Sequence, residues 1–294
     1  MCAVSSTSTR FVVAALLLAI LVPSSAVAEP WARPDESVVA SASAFTSFAS
    51  KQYSIRGKTF DLLDAQADGK VSTFGVDVDA ELTLIERLSL YWRATAQSVT
   101  LDTPFSTASV SGFGDVLFGA RWQLSTKPFQ IAVSLDGKFP TGYTADPGAF
   151  LPTLGNGVDE GQALLQVGKR FSFPVFAWAA AGYRLRGARP SGAGGQSVDY
   201  ADQVPYDVHV GVGPFKKFTL LGLVDGVFSL GSTEPLESIT FHPPSESYLR
   251  VGPGLRYRFA RRARVAASWL TTLSGNDTFK LQYFSLSIEG IYGL

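Results

Sequence analysis

The feature that most constrains this chain is a period of two, sustained over segments longer than soluble strands usually run. Val76, Val78, Ala80, Leu82 and Leu84 point one way, while Asp77, Asp79, Glu81 and Thr83 point the other. That is the side-chain alternation of a β-strand. The next segment repeats it, with Leu88, Leu90, Trp92, Ala94 and Ala96 against Ser89, Tyr91, Arg93, Thr95 and Gln97. Phe129, Ile131, Val133 and Leu135 likewise oppose Gln130, Ala132, Ser134 and Asp136. A soluble strand is typically about five or six residues long, whereas one crossing a bilayer at a tilt needs about 9–11. Repeated segments of the second length, apolar on one face and mixed polar on the other, describe a transmembrane barrel with lipid outside and a polar lumen inside.

Twelve candidate strands follow, at about residues 52–63, 71–84, 88–101, 113–124, 129–140, 161–172, 175–187, 202–213, 218–231, 247–259, 263–274 and 278–294. Lipid leaves no place for unpaired sheet edges, so the expected fold is all-β, a closed antiparallel up-and-down transmembrane barrel. The connections alternate in length. Those at 85–87, 125–128, 172–174, 213–217 and 260–262 are short, those centred on 102–111, 141–160, 188–200 and 232–245 are long, and the first and last are shorter but fall on the long side. Tight periplasmic turns and longer surface loops require this alternation. It places both termini in the periplasm, with the loop at 141–160 outside the cell.

Ahead of the barrel, residues 1–28 carry one positive charge, a short apolar stretch and the small-x-small end Ala26-Val27-Ala28. This is the pattern of a secretory signal peptide cleaved before Glu29. Residues 29–51, rich in Ser and Ala with Phe45 and Phe48, are expected to form a periplasmic lead or a short plug, leaving 52–294 for the barrel. The one Cys, Cys2, lies within the leader, so the mature chain has no disulfide and no thiolate metal site. Without Arg10 the mature chain has 24 Lys plus Arg against 25 Asp plus Glu, a formal net charge of −1. Nucleic-acid binding, which needs concentrated positive charge, is not expected. No cofactor or metal motif is present.

The chain resembles a known family at Ser111-Gly-Phe-Gly-Asp115, Lys138-Phe-Pro-Thr-Gly142, Leu154-Gly-Asn-Gly-Val-Asp159 and Gly182-Tyr183-Arg184. It is the outer-membrane barrel family named for the meta-cleavage pathway of phenol degradation, whose members are described as transporters. The resemblance runs from about residue 52 to the end. It implies a surface barrel of a Gram-negative-type bacterium, linked in some members to uptake of hydrophobic or aromatic compounds. It carries no catalytic or ligand-binding residues to transfer. Phe284, Leu286, Ile288, Gly290, Tyr292 and Leu294 resemble the terminal strand recognised by the outer-membrane assembly machinery, a partner in biogenesis, although that signal more often ends in Phe or Trp.

Candidate functional residues are the charges expected to face the lumen. Asp77, Asp79, Glu81, Asp115, Asp136, Asp207 and Asp225 form the acidic set, and Arg93, Arg121, Lys138, Arg184, Arg186, Arg250, Arg256 and Arg258 the basic one, with His209 beside Asp207. They describe either a constriction that selects solutes or a salt-bridged interior that passes little. Tyr143, Phe150 and Leu151 in the longest loop are candidate contacts for a hydrophobic solute, or parts of a lid. Trp92, Trp122 and Trp269 suit interfacial anchors in the surrounding outer-membrane lipid. His242, beside Pro243-Pro244, is expected at the surface. The sequence thus favours a passive channel for small, hydrophobic or aromatic solutes. The alternative is a non-conducting structural or interaction barrel. A membrane lipid hydrolase using Ser268, His209 and Asp207 ranks third, since no spacing brings those residues together; the chain is expected not to be an enzyme.

Overall fold

The computed structural model describes residues 37–62, 69–143, 151–171, 174–190, 197–215, 217–231 and 242–293. Twelve strands form one closed antiparallel barrel. In chain order they are Ser37–Ala49, Lys70–Ile85, Leu88–Asp102, Thr107–Ser125, Gln130–Pro140, Glu160–Arg170, Val175–Arg186, Gln203–Phe215, Phe218–Ser229, Ser247–Ala260, Ala263–Asn276 and Gln282–Gly293. Each pairs with its neighbours in sequence, and the first and last close the ring, with Ser37 opposite Gly293 and Phe48 opposite Gln282. The faces are unequal as the alternation predicts: Leu135 and Leu286 are 61% and 62% exposed, while Glu81 and Ser41 are fully buried.

Eleven of the expected strands coincide with barrel strands; the first does not. Residues 52–63 contribute the short strands Lys51–Tyr53 and Thr59–Asp61 to a three-stranded sheet with Thr278–Phe279. Between them Gly57 turns the chain in the left-handed region at φ +72°, which glycine adopts without steric cost. The barrel's first strand is Ser37–Ala49, so residues 37–49 of the expected lead or plug are wall. Ala40, Ala42 and Ala44 face out while Ser37, Ser41, Ser43 and Ser47 face in. Two faces of small residues differ little in hydrophobicity, and the period is hidden. The leader at 1–28 lies outside the described residues.

The strand ends that flank residues 86–87, 126–129, 171–174, 216–217 and 261–262 gather at one end of the barrel, where Ser37 and Gly293 also lie. The other end carries the connections 50–69, 103–106, 141–159, 187–202, 230–246 and 277–281. Two lengths differ from expectation. The connection expected at 102–111 is a tight hairpin at 103–106, closed by Thr103, whose hydroxyl donates to Ser106 O at 2.7 Å and accepts from Ser106 N–H at 2.9 Å. The first connection, expected to be short, is long because its strand begins earlier.

Candidate functional site

Strand register builds the wall of the lumen. Directly opposed residues on neighbouring strands share a face, so Ser41, Asp79, Arg93, Leu117 and Lys138 form one inward row across five strands. In that row Ser41 Oγ donates to Asp79 at 2.8 Å and Arg93 Nε lies 2.5 Å from the same carboxylate. Glu81 pairs with Arg121, both almost wholly buried. Arg250 Nε donates to Asp225 at 3.1 Å, Thr95 Oγ1 to Asp77 at 2.6 Å, and Tyr91 Oη to Asp136 at 2.8 Å. Arg264 binds Glu289 at 2.6 Å. These charges were brought inside together with partners, which is the condition for keeping them there.

At the loop end the three longest motifs converge. Lys138 Nζ lies 3.0 Å from Asp115 and 3.1 Å from Glu160, and donates to Asn156 Oδ1 at 2.8 Å. Thr141 Oγ1 donates to the Phe113 and Gly114 carbonyls at 3.0 and 2.7 Å. Gln97 Nε2 holds Leu154 O at 2.7 Å. Residues 151–159 therefore fold inward across the mouth. Glycine makes the approach possible: a Cβ on Gly114 would stand 3.0 Å from Leu154 O, and one on Gly155 would collide with the Tyr143 hydroxyl. That hydroxyl donates to Asp115 and accepts from Gly157 N–H at 3.1 Å. Burial and the neighbouring carboxylate push the Tyr143 phenol up, so it remains a neutral donor. Leu154 enters an apolar cluster with Ala49, Leu62, Val71, Val99 and Leu101. The mouth thus has an apolar wall on the first strands and, opposite, a charged wall where Arg184 and Arg186 gather around Glu160 at 3.7 and 3.2 Å.

Two adjoining cavities occupy the lumen. The one under the mouth, about 200 Å³, is bounded by Lys138, Asn156, Glu160, Arg184, Arg186 and Glu246 among others. The second, about 160 Å³, is bounded by Arg93, Leu164, Gln166, Trp178 and Asp207 among others. Leu117, Asp136 and Gln162 belong to both.

Most of the candidate charges occupy this lumen. Asp207 lies 3.0 Å from His209 Nε2, and the His209 ring packs on Trp178 with centroids 4.3 Å apart. Arg256 is half-buried and Arg258 exposed, where the tenth strand bulges before its turn. Of the loop contacts, Tyr143 is turned inward onto Asp115, Leu151 is exposed, and Phe150 lies outside the described residues. His242 is half-buried rather than superficial, because it lies in against Thr153. Its ring hydrogen-bonds the Thr153 backbone, and burial, helped by Lys138 and Arg186, pushes its pKa down to about 4. Ser268 shares a hydrogen bond with Ser285 at 2.7 Å and stands three strands from His209. No triad forms, and among the described residues no cluster suited to a metal is present. Trp92, Trp122 and Trp269 face outward. Sequence reasoning missed Trp178, Asn156, Glu160 and the Arg264–Glu289 pair. Counting parity from Arg184 down its strand would have turned Trp178 inward.

The sequence pattern of the family described as "Putative MetA-pathway of phenol degradation" matches residues 66–288. The chain belongs to this family. Among solved structures, an outer-membrane channel from Pseudomonas putida F1 is similar with a TM-score of 0.73 at 11% identity, covering 91% of this chain and 100% of that one. The translocator domain of the autotransporter NalP from Neisseria meningitidis reaches a TM-score of 0.50 at 11% identity, covering 88% of this chain and 89% of that one. No curated protein matches. The fold of this family member is that of an outer-membrane β-barrel.

Proposed function

We propose that the protein is a passive outer-membrane channel for small solutes, chiefly hydrophobic or aromatic ones, with its termini in the periplasm and residues 141–160 outside. The observation that carries this reading is the pair of adjoining cavities inside a wall whose charges neutralise one another. A lumen stiffened by mutual pairing leaves space that a single-ring solute fits, and the apolar wall around Leu154 offers such a solute its first contact. The family's association with phenol degradation points the same way. In this reading Asp79, Arg93, Asp136 and Lys138 set the field along the path. The barrel sits in outer-membrane lipid, delivered there by the assembly machinery.

One observation favours the runner-up, a non-conducting structural or interaction barrel: Leu154 and its neighbours fill part of the mouth. Planar-bilayer recording on the refolded protein separates the two. Discrete conductance steps whose ion preference changes in Lys138→Gln support the channel. Silence in bilayers, together with unchanged uptake of aromatic compounds by a deletion strain, overturns it. Protease added to intact cells should cut within 141–160; cleavage only at the turns would invert the orientation.

A further inference from the structure

Charge is sorted by height along the wall from the fourth strand to the eleventh. The stretches 124–131, 167–177, 213–220 and 255–264, which include the turn-side strand ends, hold ten Lys and Arg and no Asp or Glu. At the other end of the same strands, the connections 141–159, 187–202 and 230–246 hold seven Asp and Glu and a single basic residue, Arg189. A chain whose formal net charge is zero thus presents one basic rim and one acidic rim.

Two observations set the basic rim at the height of lipid headgroups. Gln130 opposes Gly168 on the inward side, so by alternation Phe129 and Lys169 share the outward face. There Lys169 Nζ stands 4.6 Å over the Phe129 ring and 5.6 Å from the Phe171 ring, both exposed. Phe218 and Tyr257, with centroids 4.6 Å apart, and the exposed Phe259 continue the belt. Aromatic rings at a barrel's rim mark where hydrocarbon gives way to headgroups, and a lysine stem laid on them carries its charge to that level. The second observation is connection length. Residues 216–217 and 261–262 are connections of only two residues, so the exposed Lys217, Arg261 and Arg262 stay close to the belt. An acidic protein would have to reach charges set among headgroups, and a zwitterionic lipid brings its own ammonium to the same height. We propose that this rim binds anionic phospholipids through their net-negative phosphodiester headgroups, holding an acidic lipid shell around the turn end. The binding does not depend on conduction through the lumen; its assignment to the periplasmic leaflet rests on the orientation proposed above.

The test uses the full chain refolded into vesicles of phosphatidylcholine mixed with phosphatidylglycerol of the same chain length. One lipid at a time carries brominated chains, and quenching of the outward Trp92, Trp122 and Trp269 reads its share of the lipid against the barrel. Phosphatidylglycerol should be enriched about 5-fold at low salt, the effect of one basic residue near a membrane surface, and less as salt screens the rim. Combining Lys169→Gln, Lys217→Gln, Arg261→Gln and Arg262→Gln should remove most of the enrichment. The same loss of charge at the loop end, by Arg56→Gln, Lys58→Gln, Lys70→Gln and Lys280→Gln, should leave it in place. Heat-modifiable gel migration checks that each variant has closed its barrel. Equal quenching by the two lipids in the unaltered protein, or enrichment that both variants reduce alike, overturns the proposal. Enrichment together with protease cleavage at the turns of intact cells supports the lipid shell and overturns only its leaflet. Enrichment with silent bilayers supports the shell and counts against the channel alone.

Discussion

Arg121 at the turn side and Leu154 at the mouth are both nearly inaccessible, 2% and 6% exposed, but they are buried by different means. Arg121 is carried inside by its strand and meets Glu81, which strand pairing places on the same inward face. Leu154 belongs to no strand; its loop must turn back into the lumen, held by Gln97, Lys138 and Tyr143 and admitted by Gly114 and Gly155. The turn side is therefore as fixed as the barrel itself. The mouth is fixed only as well as its loop is docked, and it is the part that can respond to conditions while the wall stays intact.

The sharpest way to break this comparison is at the wall. Arg121→Met removes the guanidinium paired with Glu81 in the buried wall, and breaking a buried ion pair by removing one member costs about 3–5 kcal/mol. Urea unfolding in detergent should show that loss, and adding Glu81→Gln should recover much of it. If the single substitution is silent, the turn side is no firmer than the mouth. Next comes the loop. Gly155→Val drives a side chain into Tyr143 and should cost about 1–3 kcal/mol as an overpacked contact, expressed mainly as undocking. Protease cleavage between 151 and 159 and bilayer conductance should both rise while barrel migration on gels is unchanged. Leu154→Ala, which removes the apolar anchor, should act in the same direction; neither variant should loosen the wall.

The smallest effect is the dependence on acidity at His242. Its folded pKa, about 4, lies below the ordinary value of 6.5, so the open loop binds protons more readily than the docked one. The docking contributed by the neutral ring is complete above about pH 6.5 and is lost as pH falls toward 4. Conductance or protease access measured across that interval should rise as pH falls, and His242→Phe should flatten the profile. An equal profile in the variant would mean that the carboxylates around Lys138 govern the response instead.

How much of this was visible in the sequence follows the same division. Strands with strong contrast between faces, such as the one carrying Asp77, Asp79 and Glu81, announce both their period and their inward residues, and register then brings Glu81 to Arg121. The Ser37–Ala49 strand stayed hidden because serine and alanine give the alternation little amplitude, and Gln52 to Leu62 imitated it until Gly57 turned the chain. At the mouth, glycine-based motifs in three separate segments mark close approach without saying to what. Only the fold shows that 111–115, 138–142 and 154–159 meet one another. Trp178 carries no mark that sets it apart in sequence from Trp92, Trp122 and Trp269, which face outward.

The seam between the first and last strands bears on how such a wall comes into being. Ser37 finds Gly293, and Phe48 finds Gln282, across nearly the whole chain. Until those partners meet, the sheet has two open edges, each a row of amide groups that hydrocarbon cannot satisfy and that another chain could capture. The closed wall thus depends on the most distant pairing in the molecule. The weakly patterned Ser–Ala strand must be kept from other partners until the final strand reaches it.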